Sequence, residues 1–329
     1  MNNTLSSLNW GILSTARINR ALIKPLRASK RNKLIAVASR DDDRAKSYAR
    51  KWDIPKAYGS YESLLSDPDV DVIHNSLPNS LHAFWTIKAA QAGKHILCEK
   101  PLALSLQEIQ EMKDAAKQAN VVIAEAFMYR HHQQTFKVKE IVEAGNIGDL
   151  CLIRGSFTFT LKQTDDIRLS PALGGGCIWD IGCYPISYSR LIIGEEPIEV
   201  FAWQKLSQSG VDEAFVGQMR FAGNVLAQFD CGFRSPYRAA IEIVGSDGVL
   251  LIPNPFKPGR KEKIILSREG AQETIQIKGP ELYIGEVEDM ADAVLLNIPP
   301  RISLEDSTNN LATILALIRS AQDGYSVKI

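Results

Sequence analysis

The sequence predicts an α/β protein with an N-terminal domain built on a doubly wound parallel sheet and a C-terminal α+β domain built on an open, mostly antiparallel sheet. A chain of 329 residues suits two domains of roughly 150 residues each better than one core. Up to about residue 125, short apolar runs alternate with amphipathic stretches, which predicts parallel strands with helices on both faces. After Gly145, strand-like segments follow one another directly, which is typical of antiparallel sheets. We therefore divide the chain into residues 1–125 and 126–329.

Five buried strands and four helices are expected in the first domain. The strands are the short Val- and Ile-rich runs Trp10–Leu13, Leu34–Ala38, Val70–His74, His95–Cys98 and Val121–Ala124. The helices are the longer stretches Ile18–Ala28, Asp42–Trp52, Ser80–Gln91 and Ser105–Asn120. Side-chain acceptors predict helix N-caps at Asp42, Ser80 and Ser105, and Glu108 completes a capping box with Ser105. In such a sheet the ligand site lies beyond the carboxyl ends of the strands.

The second domain is expected to contain seven strands and four helices. The strands are Leu150–Leu161, Ile198–Leu206, Glu213–Phe221, Val225–Phe233, Ala239–Val244, Val249–Ile252 and Lys263–Leu266. The helices are His132–Ala144, Asp180–Ile193, Gly285–Leu296 and Leu304–Asp323, the last being a candidate to pack back on the first domain. The segment Pro253–Lys263 is rich in Pro, Lys and Arg and is predicted to be a solvated loop.

Charge and composition exclude several classes of protein. Lys+Arg and Asp+Glu both number 38, so the electrostatic excess that nucleic-acid and anionic-membrane binders need is missing. No apolar run approaches the roughly 20 residues of a membrane span, and the first ten residues do not have the pattern of a secretion signal. The five cysteines form no CxxC pair, and the adjacent His131 and His132 point about 100° apart if helical. We therefore expect a cytoplasmic protein with no metal site.

The first strand leads into a turn that resembles a degenerate dinucleotide fingerprint. The positions of the three fingerprint glycines are held by Ser14, Ala16 and Asn19. Glycine matters there because the backbone must approach a pyrophosphate that rests on the helix N-terminus. Ser and Ala allow that approach if their torsions are ordinary, but an unrelated strand–turn–helix explains the segment equally well. The candidate contacts in this turn are Ser14, Thr15, Ala16, Arg17 and Ile18.

The end of the second strand favours NADP over NAD. Ser39 and Arg40 stand where an NAD-specific protein carries an acid for the ribose 2′-hydroxyl. A guanidinium cannot accept that hydrogen bond, but it holds a 2′-phosphate well, and Arg44 lies one helical turn further on. The alternative is that both arginines pair with Asp41–Asp43 on a solvated helix start.

Glu99-Lys100-Pro101 follows the fourth strand of the first domain. A strand end brings both charged side chains to the carboxyl edge of the sheet, and the proline allows a cis peptide bond. A lysine beside a substrate oxygen stabilises negative charge and lowers the pKa of a neighbouring acid. The alternative is a surface ion pair between Glu99 and Lys100 of little energetic value.

Several motifs together resemble the glucose–fructose oxidoreductase/inositol dehydrogenase (Gfo/Idh/MocA) family. They are the first turn, Asn75-Ser76-Leu77-Pro78-Asn79 with His82, Glu99-Lys100-Pro101, the stretch 125–132 and the stretch 174–185. The resemblance covers nearly the whole chain. It implies an NADP-binding Rossmann domain and a substrate domain whose open sheet forms a homodimer or homotetramer. It also implies NAD(P)-linked oxidation or reduction of sugars, polyols and related alcohols.

The resemblance assigns roles to residues of this sequence. Lys100 matches the catalytic lysine, and Asp180 and Tyr184 match a segment in which inositol dehydrogenases carry a histidine in place of Tyr184. Tyrosine there is similar to the branch of xylose dehydrogenase and dimeric dihydrodiol dehydrogenase. Further candidate cofactor contacts are Asn75, Leu77, Pro78, Asn79, His82, Glu99, Lys100, Arg168 and Trp179.

These residue types define a reaction. A free tyrosine has a pKa of about 10, so the ammonium of Lys100 is needed to make Tyr184 an effective proton donor and acceptor at neutral pH. We expect both groups to converge on one substrate oxygen, with Asp180 orienting the substrate or Lys100. The favoured function is an NADP-dependent dehydrogenase or reductase of a sugar-like substrate, with NAD as the alternative cofactor. A glycoside hydrolase with an NAD-mediated redox cycle and a non-catalytic nucleotide-binding regulator stay open.

Overall fold

The structure is a computed structural model that describes residues 6–163 and 165–329. It divides into two compact units, each assembled from two stretches of chain. The first unit comprises the residues up to Met128 together with Tyr283–Ser307, and the second comprises Tyr129–Leu282 and Thr308–Ile329. Within the described residues, no helix is both long and apolar enough to cross a bilayer.

The first unit is built on a six-stranded parallel sheet. Its strands are β1 (Leu8–Leu13), β2 (Asn32–Ala38), β3 (Lys56–Tyr58), β4 (Val72–Asn75), β5 (His95–Glu99) and β6 (Ile123–Ala126). The intervening helices are α1 (Asn19–Ala28), α2 (Asp42–Lys51), α3 (Tyr61–Leu65), α4 (His82–Gln91) and α5 (Leu106–Ala119). The strand order β3-β2-β1-β4-β5-β6 and the parallel pairing confirm the predicted doubly wound sheet. The sequence did not predict β3 or α3.

The helix starts test three predicted caps. At α5, the Ser105 hydroxyl accepts the Glu108 N–H at 3.2 Å, and the Glu108 carboxylate accepts the Ser105 N–H at 3.1 Å. This confirms the capping box. The cap of α2 was predicted one residue late, because Asp41 and not Asp42 accepts a backbone N–H at the start of that helix. The prediction for Ser80 was wrong, because Ser80 lies in a 3₁₀ turn that precedes α4.

The second unit is built on a nine-stranded sheet. Its strands are β7 (Leu150–Thr160), β8 (Glu199–Leu206), β9 (Asp212–Arg220), β10 (Leu226–Gly232), β11 (Arg234–Gly245), β12 (Gly248–Ile252), β13 (Lys261–Arg268), β14 (Ala271–Lys278) and β15 (Val327–Lys328). Their order is β14-β13-β12-β11-β7-β10-β9-β8-β15. Among the strands that the structure describes in this second sheet, only β7 and β10 pair in parallel, which confirms the mostly antiparallel prediction. The sequence did not predict β14 or β15.

Helices cover one face of this second sheet. They are α6 (Gln133–Glu143), α7 (Cys183–Ile193) and α9 (Leu304–Asp323). Pro185 of α7 lies so close to Gly155 of β7 that a side chain at position 155 would clash with it. Leu317 of α9 lies beside Gly217 of β9. These contacts leave the opposite face of the sheet to solvent, with several large apolar side chains exposed on it.

The structure differs from the predicted contiguous second domain. Helix α8 (Ile284–Leu295) belongs to the first unit, because its Val287 and Met290 share a buried core with Trp10 and Leu22. From Thr308 onward, α9 belongs to the second unit, whereas its residues before Thr308 belong to the first. The Rossmann unit is therefore completed by a helix that follows the second sheet in the sequence.

Candidate active site

The turn between β1 and α1 holds a serine in a backbone conformation that favours glycine. Ser14 has a φ of 92°, in a region that L side chains rarely adopt, so its torsion is not the ordinary one considered from the sequence. Its hydroxyl accepts the Ala16 N–H at 3.1 Å and pairs with the Ser76 hydroxyl at 3.0 Å. The side-chain amide of Asn19 donates to the Ser14 carbonyl at 3.0 Å. Hydrogen bonds from polar side chains therefore stabilise this turn at positions where the fingerprint has glycines without side chains.

The start of α1 fits an anionic ligand. In the described chain no side chain caps α1, and its first turn has no acidic residue. Helix α2, by contrast, starts with the Asp41 cap followed by Asp42 and Asp43. Because uncapped amides and the helix dipole attract negative charge, the half-buried to exposed residues Ser14–Ile18 are where the phosphates of a dinucleotide would be held.

The two predicted phosphate-binding arginines keep their guanidinium groups clear of the neighbouring acids. Arg44 Nε donates to Thr15 Oγ1 at 2.8 Å, so this side chain reaches the first turn. Among the described residues, neither Arg40 nor Arg44 forms an ion pair with Asp41–Asp43, and Asp42 pairs with Lys46. The solvated helix-start alternative therefore does not describe these arginines.

Four other predicted contact residues are buried, namely Ser39, Asn75, Leu77 and His82. The Ser39 hydroxyl accepts a backbone N–H at 3.3 Å, and the Asn75 amide donates to the His82 carbonyl at 3.0 Å. The His82 ring lies 2.8 Å from both the Leu77 and the Pro101 carbonyl, and burial lowers its pKa. His82 therefore joins the loop after β4 to the loop after β5. Two half-buried members of the same segment are Pro78 and Asn79.

Lys100 begins the loop after β5 at the carboxyl edge of the first sheet. The Lys100–Pro101 peptide bond is cis, and the Lys100 side chain is half-buried. Only 14 % of the Glu99 side chain is exposed, and Glu99 Oε1 lies 3.4 Å from Nε2 of the buried His74. Glu99 is therefore not half of an exposed surface pair, as the alternative for this motif required.

The second unit holds Asp180 and Tyr184 on one continuous helical segment. A π-helical turn at Ile178–Gly182 leads directly into α7, so the helix predicted from Asp180 begins two residues earlier. Asp180 Oδ2 accepts from Arg168 Nε at 2.6 Å. Arg168, predicted only as a cleft contact, therefore holds Asp180. The neighbouring Trp179 is half-buried.

Tyr184 lies in a cluster of aromatic rings. Its side chain is 5 % exposed, and its ring centroid lies 5.9 Å from that of Tyr129, 5.4 Å from that of Phe157 and 5.5 Å from that of Phe256. Lys100 belongs to the first unit and Tyr184 to the second, so their predicted convergence on one oxygen stays a prediction.

The sequence missed two residues of the second unit that support this segment. Phe256 is fully buried. The prediction of a solvated loop over Pro253–Lys263 was therefore wrong at this position. Asp212 is also buried, and burial raises the pKa of its carboxyl. An acid at the start of a strand gives no signal of burial, and a single Phe among Pro and Lys gives only a weak one.

His131 and His132 are both buried. His132 Nδ1 accepts the Gln134 N–H at 3.1 Å and so caps α6. Burial lowers the pKa of His132. The second histidine of the pair is therefore a structural residue.

Two family models together match most of the chain. The model described as oxidoreductase family, NAD-binding Rossmann fold, matches residues 8–127. The GFO/IDH/MocA C-terminal domain model matches residues 135–251. This chain belongs to the GFO/IDH/MocA oxidoreductase family. The resemblance predicted from the motifs is thereby confirmed.

Relatives of this GFO/IDH/MocA protein include named dehydrogenases and reductases. D-xylose 1-dehydrogenase (NADP(+)) 2 of Haloferax volcanii is 36% identical over 97% of this chain and 99% of its own length. Trans-1,2-dihydrobenzene-1,2-diol dehydrogenase of Xenopus laevis is 35% identical over 74% of this chain and 75% of its own. The crystal structure of a 3-ketoreductase from Actinomadura kijaniata with NADP and TDP-benzene matches with a TM-score of 0.91 at 29% identity, covering 95% of this chain and 98% of that one. The protein is therefore an NAD(P)-dependent oxidoreductase, as predicted.

Proposed function

We propose that this protein transfers a hydride between NADP and the carbinol carbon of a sugar, a polyol or a keto-sugar. The observation that carries the proposal is a buried tyrosine, Tyr184, four residues after an aspartate that Arg168 holds at 2.6 Å. Full-length similarity to an NADP-dependent D-xylose dehydrogenase supports the substrate class. A bound nicotinamide dinucleotide supplies the hydride donor or acceptor.

The protein's own groups move the proton. Tyr184 gives a proton to the substrate oxygen during reduction and takes it back during oxidation. Because a free phenol has a pKa of about 10, the Lys100 ammonium beside the same oxygen stabilises the phenolate and the developing alkoxide. Asp180, fixed by Arg168, orients the substrate or Lys100.

Two arginines support NADP rather than NAD as the cofactor. Arg40 occupies the position at the end of β2 where an acid would accept the ribose 2′-hydroxyl. Arg44 reaches the phosphate-binding turn through Thr15. Since Asp41–Asp43 do not neutralise them, both guanidinium groups are available to a 2′-phosphate.

The test compares Tyr184→Phe and Lys100→Ala with wild type on a panel of aldoses and polyols. We expect single-turnover hydride transfer to fall roughly 10²–10⁴-fold while the dissociation constant for NADP changes little. Tyr188→Phe is the matched control, because the Tyr188 ring is buried one turn later and its hydroxyl has no hydrogen-bond partner among the described residues. Intact turnover in either variant removes that residue from the mechanism. Sugar cleavage without net change in nicotinamide absorbance would favour the hydrolase.

We also propose that the open face of the second sheet joins copies of this chain into a homodimer or homotetramer. Trp203 and Val216 are cross-strand neighbours on that face, with Trp203 58 % exposed, and Leu226 is exposed on the same side. Exposed aromatic and aliphatic side chains on a sheet face that no helix covers support a protein interface there. Light scattering should show a dimer or tetramer for wild type and a smaller species for Trp203→Glu. A monomeric wild type would contradict the proposal.

A further inference from the structure

Asp212 reaches from the second sheet to the start of the helical segment that carries Asp180. It is the first residue of β9, and only 8 % of it is exposed. Its Oδ2 atom accepts the Ile178 backbone N–H at 2.7 Å and the Cys177 thiol at 2.9 Å. The carboxylate therefore binds the first residue of the π-helical turn Ile178–Gly182.

Gly176 shows how closely the chain fits around this carboxylate. Its φ is 131°, and a Cβ at this position would lie 2.2 Å from Asp212 Oδ1. The Gly176 N–H donates to the Arg168 carbonyl at 2.9 Å, and its carbonyl accepts the Asp180 N–H at 3.1 Å. Gly176 thus hydrogen-bonds to Arg168 and Asp180 and packs against Asp212, so any side chain there would push the carboxylate away.

The carboxylate can set the position of the catalytic candidates. Ile178 lies two residues before Asp180 and six before Tyr184 on one hydrogen-bonded segment. Since a helix transmits a shift of its first turn along its axis, moving Ile178 moves both. A negative charge also suits the amide-rich end of a helix. The Arg168–Asp180 ion pair holds a second residue of the same turn.

We propose that Asp212 is a positioning residue for the reaction: it anchors the start of this helical segment to the sheet and so sets the places of the Asp180 carboxylate and the Tyr184 phenol. This inference rests on the function proposed above. Asp212 contacts neither substrate nor cofactor in this role. Its effect is on the rate of the chemical step and not on cofactor affinity.

The test compares Asp212→Ala and Asp212→Asn with Glu213→Gln. Glu213 is the next acid on β9, and its carboxylate pairs with Lys205 and Arg234 instead of the helical segment. We expect Asp212→Ala to lower kcat by up to roughly 10²-fold, the effect of an ångström-scale misplacement, with the dissociation constant for NADP unchanged. Asp212→Asn should recover much of kcat, because its amide oxygen can still accept the Ile178 N–H. Glu213→Gln should match wild type.

A second measurement needs no substrate. Hydrogen exchange of the amides of residues 178–184, recorded well below the unfolding temperature of each variant, should be faster in Asp212→Ala than in Glu213→Gln. Lower thermal stability of Asp212→Ala with unchanged exchange and unchanged kcat would overturn the inference and leave the proposed function standing. If the wild-type protein turns over no sugar or polyol, the proposed function fails. Equal exchange rates in Asp212→Ala and Glu213→Gln would then also overturn the inference that Asp212 anchors the helical segment. If Asp212→Ala does not fold, Asp212→Ser takes its place in both comparisons.

Discussion

Phe256 offers the sharpest test of the packing around Tyr184. The residue lies in an irregular segment between β12 and β13, yet its ring is fully buried. Its centroid lies 5.0 Å from that of Phe157, 5.5 Å from that of Tyr184 and 6.1 Å from that of Tyr129. Phe256→Ala removes the ring from the middle of this cluster and leaves a cavity next to the Tyr184 ring.

The size of the effect follows from burial and ring contacts. Truncating a buried Phe to Ala costs about 3–5 kcal/mol in free energy of unfolding, and aromatic pairs of this geometry add about 0.5–1.5 kcal/mol each beyond area burial. We therefore expect a loss near the upper end, about 4–5 kcal/mol. Phe256→Leu keeps most of the volume but loses the ring contacts, so it should cost less than Phe256→Ala and more than a change that leaves an aromatic ring in place.

Urea denaturation followed by circular dichroism measures these differences. Phe84→Ala is the matched control, because it deletes the same atoms from a side chain that is 53 % exposed and should cost under about 1 kcal/mol. If Phe256→Ala costs no more than Phe84→Ala, Phe256 does not pack in the cluster, and the solvated loop predicted from composition would describe the segment after all.

Two further predictions concern the first unit and pH. Arg40→Asp replaces the cation proposed to bind the 2′-phosphate with an acceptor for a ribose hydroxyl. The ratio of NADP to NAD affinity, measured by fluorescence titration, should therefore fall at least roughly tenfold. An unchanged ratio would exclude Arg40 from cofactor selection. Burial lowers the pKa of His82 and His132 below the ordinary value of 6.5, so the unfolded chain binds protons first as the pH falls. The free energy of unfolding should therefore be highest above pH 6.5 and fall below it, by up to about 1.4 kcal/mol per pH unit for each histidine. Denaturation of His132→Gln at several pH values should show a shallower slope, and an unchanged slope would contradict the assignment.

Local patterns predicted the elements of the first unit but not its full membership. Strand and helix periodicity identified β1, β2, β4, β5 and β6 because each is an apolar run bounded by polar residues. The strand β3 (Lys56–Tyr58) has only three residues, all half-buried, and so its sequence contains no apolar run. The sequence did not show which unit contains α8, because its amphipathic face fits either sheet. The ion pair that ties α8 to the first unit joins Arg31 to Asp292 at 2.7 Å, two residues that are far apart in the sequence.

The sequence predicted the candidate site residues that lie in short motifs and missed those that contact the site from distant parts of the chain. Lys100, Asp180 and Tyr184 stand in recognisable segments, whereas their supports act over long sequence distances. Asp212 contacts Ile178 from a different strand, and no spacing rule joins an acid at the start of β9 to a helix that begins 34 residues earlier. The positive φ of Ser14 could not be predicted either, because its hydroxyl hydrogen-bonds to Ser76, which lies in the loop after a neighbouring strand.

The division of residues between the two units has a consequence for the phenotypes of variants. The dinucleotide candidates from Ser14 to Lys100 belong to the first unit, while Asp180 and Tyr184 belong to the second, together with the remaining cofactor candidates Arg168 and Trp179. Each unit orders its own groups through its own core, so changes at Arg40 should alter cofactor affinity and leave proton transfer intact. Changes at Tyr184 should do the reverse. Lys100 is the informative exception, because it is held by the first unit and acts in the proposed proton transfer. If Lys100→Ala lowers the rate of the chemical step as Tyr184→Phe does and keeps the affinity for NADP, then a residue of the first unit and a residue of the second act in the same chemical step.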